Sequence, residues 1–284
     1  MEIGAGTRLI ALLGDPVAHS LSPRIQNAAI RAAGLDAIYL ALRCHHEALP
    51  GLMRGVVGAG GAGNVTIPHK QRAPLLLDVP TPAVEGTGAC NTFWGEDGLI
   101  HGDNTDVDGF AGAARELMGS PAGARVLVLG AGGAARAAVM ALLHARAAGI
   151  YLRSRSAVRA RELQTHLDPR GRHVSVLGPE RPLHREGYDL VVNATPLGLD
   201  HRDATPLDLD EPARIGAVLD LTYGRELTPW VMEARERGIP AADGRPTLVH
   251  QGAAAFRRWF GVEPDLAAMR AALEESGRDP DDLS

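Results

Sequence analysis

Lysine is the residue this chain nearly does without. Of its 29 Lys+Arg residues, Lys70 is the one lysine and every other is arginine. Aromatic residues are also scarce, at 4% of the total, so the core must be built from Ala, Val, Leu and Ile among many glycines, the usage of α/β proteins. The two cysteines, Cys44 and Cys90, have neither metal-site nor disulfide-framework spacing. They read as small buried apolar groups in a reducing compartment. A net charge of -5 excludes the basic footprint of a nucleic-acid-binding domain. No uncharged apolar run reaches the ~18 residues of a membrane span, and the first residues contain Glu2 and no apolar signal-peptide segment. The expectation is a cytoplasmic protein of two domains, because 284 residues are long for one core.

The single lysine stands in the run Asn64-Val65-Thr66-Ile67-Pro68-His69-Lys70. Arginine holds an anion but is effectively never deprotonated, whereas a lysine ammonium gives up a proton when its pKa is lowered. Position 70 therefore reads as a proton-transfer group, with the Asn-x-Thr donors beside it. Asn64–Ile67 is expected as a short strand ended by Pro68. Lys70 is expected at or just inside a helix N-terminus, whose dipole favours the neutral amine. The Gly58–Gly63 stretch reads as a flexible approach to this motif. A carboxylate partner for the amine is sought in Gly102-Asp103-Asn104-Thr105-Asp106; Asp106 is the candidate, and Asp103 and Asp108 compete with it on spacing.

Upstream, Thr7–Leu13 reads as a buried strand closed by Gly14-Asp15-Pro16. Ser22 is placed to cap a helix with Pro23 in its first position and Gly34 at its end. Ser20 and Ser22, two hydroxyls at a helix start, also suit a carboxylate ligand. Ala37–Leu42 reads as a strand and His46–Val57 as a helix. His45-His46 lacks the spacing of a metal site and reads as surface.

Arg125–Leu129 is an apolar strand followed at once by Gly130-Ala131-Gly132-Gly133-Ala134-Ala135, which fits G-x-G-x-x-A, and by an alanine-rich helix to Ala148. That context is the dinucleotide fingerprint, with the pyrophosphate on the helix N-terminus. The next strand, Gly149–Leu152, ends in Arg153-Ser154-Arg155-Ser156, with Arg159 one turn on. An NAD site would put an acid here for the ribose hydroxyls; arginines and serines suit a 2′-phosphate instead, so the expected cofactor is NADP. Asp189–Pro196 is a strand with a polar tip that includes Thr195. Ala217–Leu221 repeats the pattern ahead of Thr222-Tyr223, and a helix Pro229–Arg237 and a strand Ile239–Ala241 complete the unit. His250-Gln251-Gly252 is expected to open an amphipathic helix through Phe256, Trp259 and Phe260. Leu266–Leu273 is expected as the last helix, with a loose tail after Glu275.

Taken together and in order, Ser20-Leu21-Ser22-Pro23, Asn64–Lys70, Gly88-Ala89-Cys90-Asn91-Thr92, Asn104-Thr105-Asp106, Gly130–Ala135, Ser154-Arg155-Ser156-x-x-Arg159, Asn193-Ala194-Thr195-Pro196 and Leu248-Val249-His250-Gln251-Gly252 resemble the shikimate dehydrogenase family over essentially the whole chain. The resemblance implies an α/β fold: an N-terminal substrate domain (1–107), a Rossmann-type NADP domain (108–243) and C-terminal helices returning to the first domain (244–284), with a cleft between the domains. It implies reversible NADPH reduction of 3-dehydroshikimate to shikimate, a step of aromatic amino-acid and chorismate biosynthesis. It makes Lys70 and Asp106 the catalytic pair and gives the substrate carboxylate to Ser20 and Ser22. Ring hydroxyls or the reacting centre go to Asn64, Thr66, Asn91, Tyr223 and Gln251. Gly130, Ala131, Gly132, Gly133, Ala134, Ser154, Arg155, Ser156, Arg159 and Thr195 are the implied cofactor residues. No nucleic acid, membrane or metal is expected, and a homodimer is the candidate assembly. Two departures from the family pattern stand out: Arg245-Pro246-Thr247 where a methionine beside the nicotinamide is common, and no proline after Tyr223. Quinate and aminoshikimate dehydrogenases are the neighbouring alternatives; the Ser20/Ser22 pair favours shikimate. A non-catalytic NADP-binding regulator could dispense with both Lys70 and Asp106.

Overall fold

The computed structural model describes residues 3–178, 183–198, 203–224 and 226–274. The expected loose tail after Glu275 lies outside them, as does Arg225. The chain divides into two compact units, Met1–Thr105 with Leu248–Ser284, and Asp106–Thr247.

The first unit runs β1 (Arg8–Gly14), α1 (Ser22–Ala32), β2 (Ala37–Arg43), α2 (Leu49–Gly58), β3 (Ala62–Val65), β4 (Val79–Pro80), α3 (Pro82–Thr87), β5 (Thr92–Glu96) and β6 (Leu99–Asp103). Its sheet has the order β2-β1-β3-β5-β6-β4. β1 pairs in parallel with β2 and β3, whereas β5 is antiparallel to both β3 and β6. Leu13, Leu49, Met53, Val65, Phe93 and Ile100 form a core on this sheet. The Gly58–Gly63 stretch is not a loose approach: it closes α2 and opens β3, with Gly63 opposite Phe93.

The second unit runs α4 (Asp106–Met118), β7 (Arg125–Leu129), α5 (Gly133–His144), β8 (Gly149–Arg153), α6 (Ala157–Leu167), β9 (Val174–Leu177), β10 (Leu190–Asn193), β11 (Val218–Asp220), α7 (Pro229–Glu236) and β12 (Ala241–Ala242). Every pairing in its sheet is parallel, in the order β12-β11-β10-β7-β8-β9. This is the doubly wound dinucleotide-binding order, with its switch point between β7 and β10. Val126, Leu127 and Val128 are wholly buried, as expected of a central strand covered on both faces. Two more helices, α8 (Arg245–Phe260) and α9 (Leu266–Glu274), follow, and α9 packs on α1.

Three helix boundaries differ from expectation by more than two residues. α5 stops at His144 rather than Ala148, because Arg146 turns into a positive φ and Ala148 N–H already reaches back to Ala124 O to enter β8. α8 begins at Arg245, five residues before His250. Asp243 Oδ1 accepts the Arg245 N–H, and Pro246 sits in the first turn, where its missing N–H costs nothing. α2 begins at Leu49 rather than His46. Among the described residues, no helix is long and apolar enough to cross a membrane.

Candidate active site

Ser20 and Ser22 stand where β1 hands over to α1. Ser22 does not cap α1. Leu21 is the cap residue, and Ser22 is the first helical residue with no side-chain capping bond. The buried phenol of Tyr39, on β2, donates to Asn64 Oδ1 at 2.8 Å. Asn27 of α1 accepts the Tyr39 N–H through Oδ1 and donates Nδ2 to the Tyr39 carbonyl, both at 2.9 Å. Ser20 Oγ accepts the Ser22 N–H at 3.2 Å, which leaves the Ser20 proton available to a ligand.

The Asn64–Lys70 run leaves β3 at Val65. Thr66 N–H donates to Leu13 O at 2.9 Å, and Gly14 lacks a Cβ where one would run into the Thr66 methyl group. His69 is buried and fixes the turn by donating from Nε2 to Cys44 O, 2.6 Å away, since a carbonyl only accepts. Lys70 is not at a helix N-terminus. It lies in a turn, and the short 3-10 segment Ala73–Leu76 begins beyond it. Bonds between Asp78 and Ile100 then pull the chain into β4, so no longer helix forms there. The helix-dipole argument for this amine falls away. The Lys70 carbonyl accepts the Cys90 N–H at 2.8 Å. Burial pushes the Cys90 thiol up to about 12, partly opposed by the nearby Lys70 charge.

Asn64 and Asn91 are almost fully buried and cross-linked. Asn64 Nδ2 donates to Asn91 O at 2.8 Å and to Thr92 Oγ1 at 2.9 Å. Asn91 Oδ1 accepts from Thr105 N at 2.8 Å and from Thr92 Oγ1 at 2.9 Å. Asn91 Nδ2 reaches Gln251 Oε1 at 3.5 Å, and Gln251 Nε2 donates to Leu248 O, so α8 delivers Gln251 to the Asn91 side chain. The Gly102–Asp106 stretch is not a solvated turn: Asp103, Asn104 and Thr105 are all buried. Asp103 accepts from Thr81 Oγ1, Asn104 N and the Arg258 guanidinium, so its carboxylate is fully engaged. The first unit thus joins Asn64, Asn91 and Gln251 through linked hydrogen bonds, with Thr66 and Lys70 on the turn that follows Asn64.

In the second unit Asp106 is the first residue of α4. The Tyr223 phenol is held above its ordinary range, first by burial and then by the Asp106 charge, so it stays protonated at neutral pH. The sequence departure at Arg245 is tied back to this corner: its guanidinium donates to Gly224 O at 3.2 Å.

A cavity of about 750 Å³ in the second unit is lined by Gly130, Ala131, Gly132, Ser154, Arg155, Ser156, Arg159 and Thr195. Gly133 and Ala134 begin α5 just behind this lining. Gly130 has φ +112, and a Cβ there would stand 2.7 Å from Ala194 O. Nothing occupies the space where Cβ atoms of Gly132 and Gly133 would be, so the loop leaves a cradle at the α5 N-terminus. Ser156 caps α6 through its bond from Arg159 N–H, which brings the Arg159 side chain to the same wall. Glycine cradle, helix start, two serines and two arginines fit a phosphorylated dinucleotide in their donor chemistry.

A family model described as the shikimate dehydrogenase substrate binding domain matches residues 12–93, and one described as the shikimate 5′-dehydrogenase C-terminal domain matches residues 244–274. The chain is 40% identical over 281 residues to the shikimate dehydrogenase (NADP(+)) of Geobacter sulfurreducens, covering 96% of this chain and 98% of that protein. Identity to the enzyme of the same name from Rubrobacter xylanophilus is 42% over 283 residues, covering 97% and 99%. The chain belongs to the shikimate dehydrogenase family. Among solved structures, shikimate 5-dehydrogenase from Thermus thermophilus in complex with NADP(H) and shikimate matches with a TM-score of 0.84 at 37% identity, over 94% of this chain and 99% of that one.

Within this member of the family, sequence reasoning missed three groups. Tyr39 donates its phenolic proton to Asn64. Arg258 of α8 holds Asp103. Glu211 lines the dinucleotide cavity and pairs with Arg153. The available signal was faint in each case: a hydroxylated aromatic among aliphatic strand residues, one of many helical arginines, and an acid in an irregular segment.

Proposed function

We propose that this chain is an NADP-dependent shikimate dehydrogenase that reversibly reduces 3-dehydroshikimate to shikimate. The reading rests on one observation above the others, the meeting of the glycine loop and the arginine–serine corner in one cavity. Gly130, Ala131 and Gly132 would cradle the pyrophosphate at the start of α5. Ser154, Arg155, Ser156 and Arg159 would hold the 2′-phosphate by charge-assisted bonds. When bound, the nicotinamide supplies the hydride in one direction and accepts it in the other. Ser20 and Ser22 donate to the substrate carboxylate, and Asn64, Thr66, Asn91, Gln251 and Tyr223 hydrogen-bond the ring hydroxyls or the reacting centre. Lys70 delivers a proton to the carbonyl oxygen and offsets the charge developing there, with Asp106 orienting the amine. Two buried cysteines without a disulfide support a reducing, cytoplasmic setting. A homodimer is the assembly to be tested by light scattering.

The deciding experiment follows nicotinamide absorbance with shikimate and NADP⁺, with quinate and NAD⁺ as crossed controls. Turnover should be fast only with shikimate and NADP⁺. Lys70→Ala should lose a factor of about 10²–10⁴, the range of a general acid–base contribution. Faster turnover on quinate, or a Lys70→Ala variant as active as the parent, would overturn the assignment.

A further inference from the structure

Asp220, the last residue of β11, is a carboxylate with no exposed surface, and the other two residues of its strand, Val218 and Leu219, are equally buried and apolar. Packing alone would be served by a third aliphatic residue, because taking a charge out of water is costly. Burial raises the Asp220 pKa, and hydrogen bonds from Thr222, Thr228 and Asn193 oppose the rise. Oδ1 accepts from Asn193 Nδ2 at 2.8 Å, from Thr222 N at 3.0 Å and from Thr222 Oγ1 at 2.8 Å. Oδ2 accepts from Thr228 Oγ1 at 2.8 Å. All four donors are neutral, and the proposed chemistry uses none of them.

Register brings two strand tips together: Asn193 ends β10 and is paired with Asp220 across the parallel ladder. Two backbone groups set the sense of the Asn193 carboxamide. Leu197 O can only accept, so Nδ2 faces it at 2.9 Å; Thr195 N–H can only donate, so Oδ1 faces it at 3.0 Å. The second proton on Nδ2 goes to Asp220. Asn193 thereby holds the turn Ala194-Thr195-Pro196-Leu197, and all four of those residues line the dinucleotide cavity. The turn lies against the glycine loop, where Ala194 N–H donates to Leu129 O at 2.9 Å and Ala194 O fills the space beside Gly130. The same Asp220 oxygen fixes Thr222 through its backbone and its hydroxyl, one residue before Tyr223.

We propose that Asp220 is a positioning residue whose Oδ1 holds the Ala194–Leu197 wall of the cofactor cavity and the Thr222–Tyr223 segment in one fixed relation. This rests on the assignment of that cavity to the dinucleotide and of Tyr223 to the substrate.

The test uses the full chain and measures KM for NADP⁺ and for shikimate, together with Tm. Asp220→Ala should raise both KM values about tenfold, the size of a lost polar contact. Asn193→Ala cuts one arm, and it should raise KM for NADP⁺ to a similar extent while leaving KM for shikimate within about twofold. Asp220→Asn should recover most of the loss, because its carboxamide oxygen can take the three donors and its nitrogen can donate to the Thr228 hydroxyl. Asp189→Asn loosens the opposite end of β10, and it should lower Tm without moving either KM. Arg155→Ala and Tyr223→Phe report on the two sites themselves. Unchanged KM values in Asp220→Ala, beside raised ones in those two reporters, overturn the proposal and leave the sites standing. An Asp220→Asn variant no better than Asp220→Ala, or equal KM rises in Asp189→Asn, reduces Asp220 to a structural residue and also overturns it. Should Asp220→Ala fail to fold, an unchanged NADP⁺ KM in Asn193→Ala overturns the proposal on its own. If Arg155→Ala leaves the NADP⁺ KM unchanged, or Tyr223→Phe the shikimate KM, the site assignment itself fails, and the proposal fails with it.

Discussion

Arg153, Arg155 and Arg159 look equivalent in the sequence, and the structure separates them. Arg153 donates to Glu211, so its charge is already answered within the cavity wall. In the proposed site the 2′-phosphate would then depend on Arg155 and Arg159, which line the same cavity. Arg155→Ala should raise KM for NADP⁺ about tenfold while changing KM for NAD⁺ little, since a charge-assisted bond to phosphate is among the stronger polar contacts. Glu211→Ala should lower KM for NADP⁺, because a carboxylate leaves the surroundings of the phosphate. Steady-state kinetics with both cofactors check the two, and an Arg155→Ala variant with unchanged NADP⁺ KM would sink the assignment. At this scale the sequence was legible where the pattern is local: a glycine loop after a strand, and serines at a helix start. Glu211 and Tyr39 escaped because each acts through a partner distant in sequence. No local pattern marks such a partner.

Among the elements, strands were easier to read than helix ends. Arg125–Leu129 is apolar at nearly every position because both its faces are covered. Helix ends were harder because tertiary bonds override local signals. Ser22 and Pro23 looked like cap and first residue, but the helix starts one residue earlier, with Leu21 in the cap position. Lys70 followed a proline that suggested a helix start, but pairing of the next residues with β6 allowed only a short 3-10 segment. Asp189, which precedes β10, shows how one side chain joins elements. Its carboxylate accepts the Arg125 N–H at the start of β7 and a bond from Arg214, each at 2.8 Å. Those two bonds, the backbone one first, hold its pKa below the ordinary 3.8. The folded state therefore prefers the charged form. Its contribution is present above pH 3.8 and disappears as the pH falls through the lower folded value. Asp189→Asn should be less stable than the parent to urea at pH 7, and the gap should close on acidification below that range. A gap that stays constant with pH would rule out the carboxylate as its source.

For the molecule as a whole, the decisive feature is strand order. In the second unit it sets the loop after β7 beside the tip of β10, and the cavity opens at that switch point. Neither order nor register can be read from periodicity. That the first unit resumes at Leu248 after the second is not legible in any local pattern either. The Asn27 clamp has a consequence at this scale as well. β2 is the outermost strand of its sheet, and an outermost strand is a template onto which another copy can add by backbone pairing. By taking both the N–H and the carbonyl of Tyr39, Asn27 acts as a stub of an absent seventh strand and interrupts that template at its centre. Asn27→Ala should uncover it, and light scattering should then show concentration-dependent growth beyond the parent's own assembly. A variant whose size stays constant with concentration would show that the margin is guarded by something else. The same carboxamide that steadies Tyr39 would also keep the protein from polymerising.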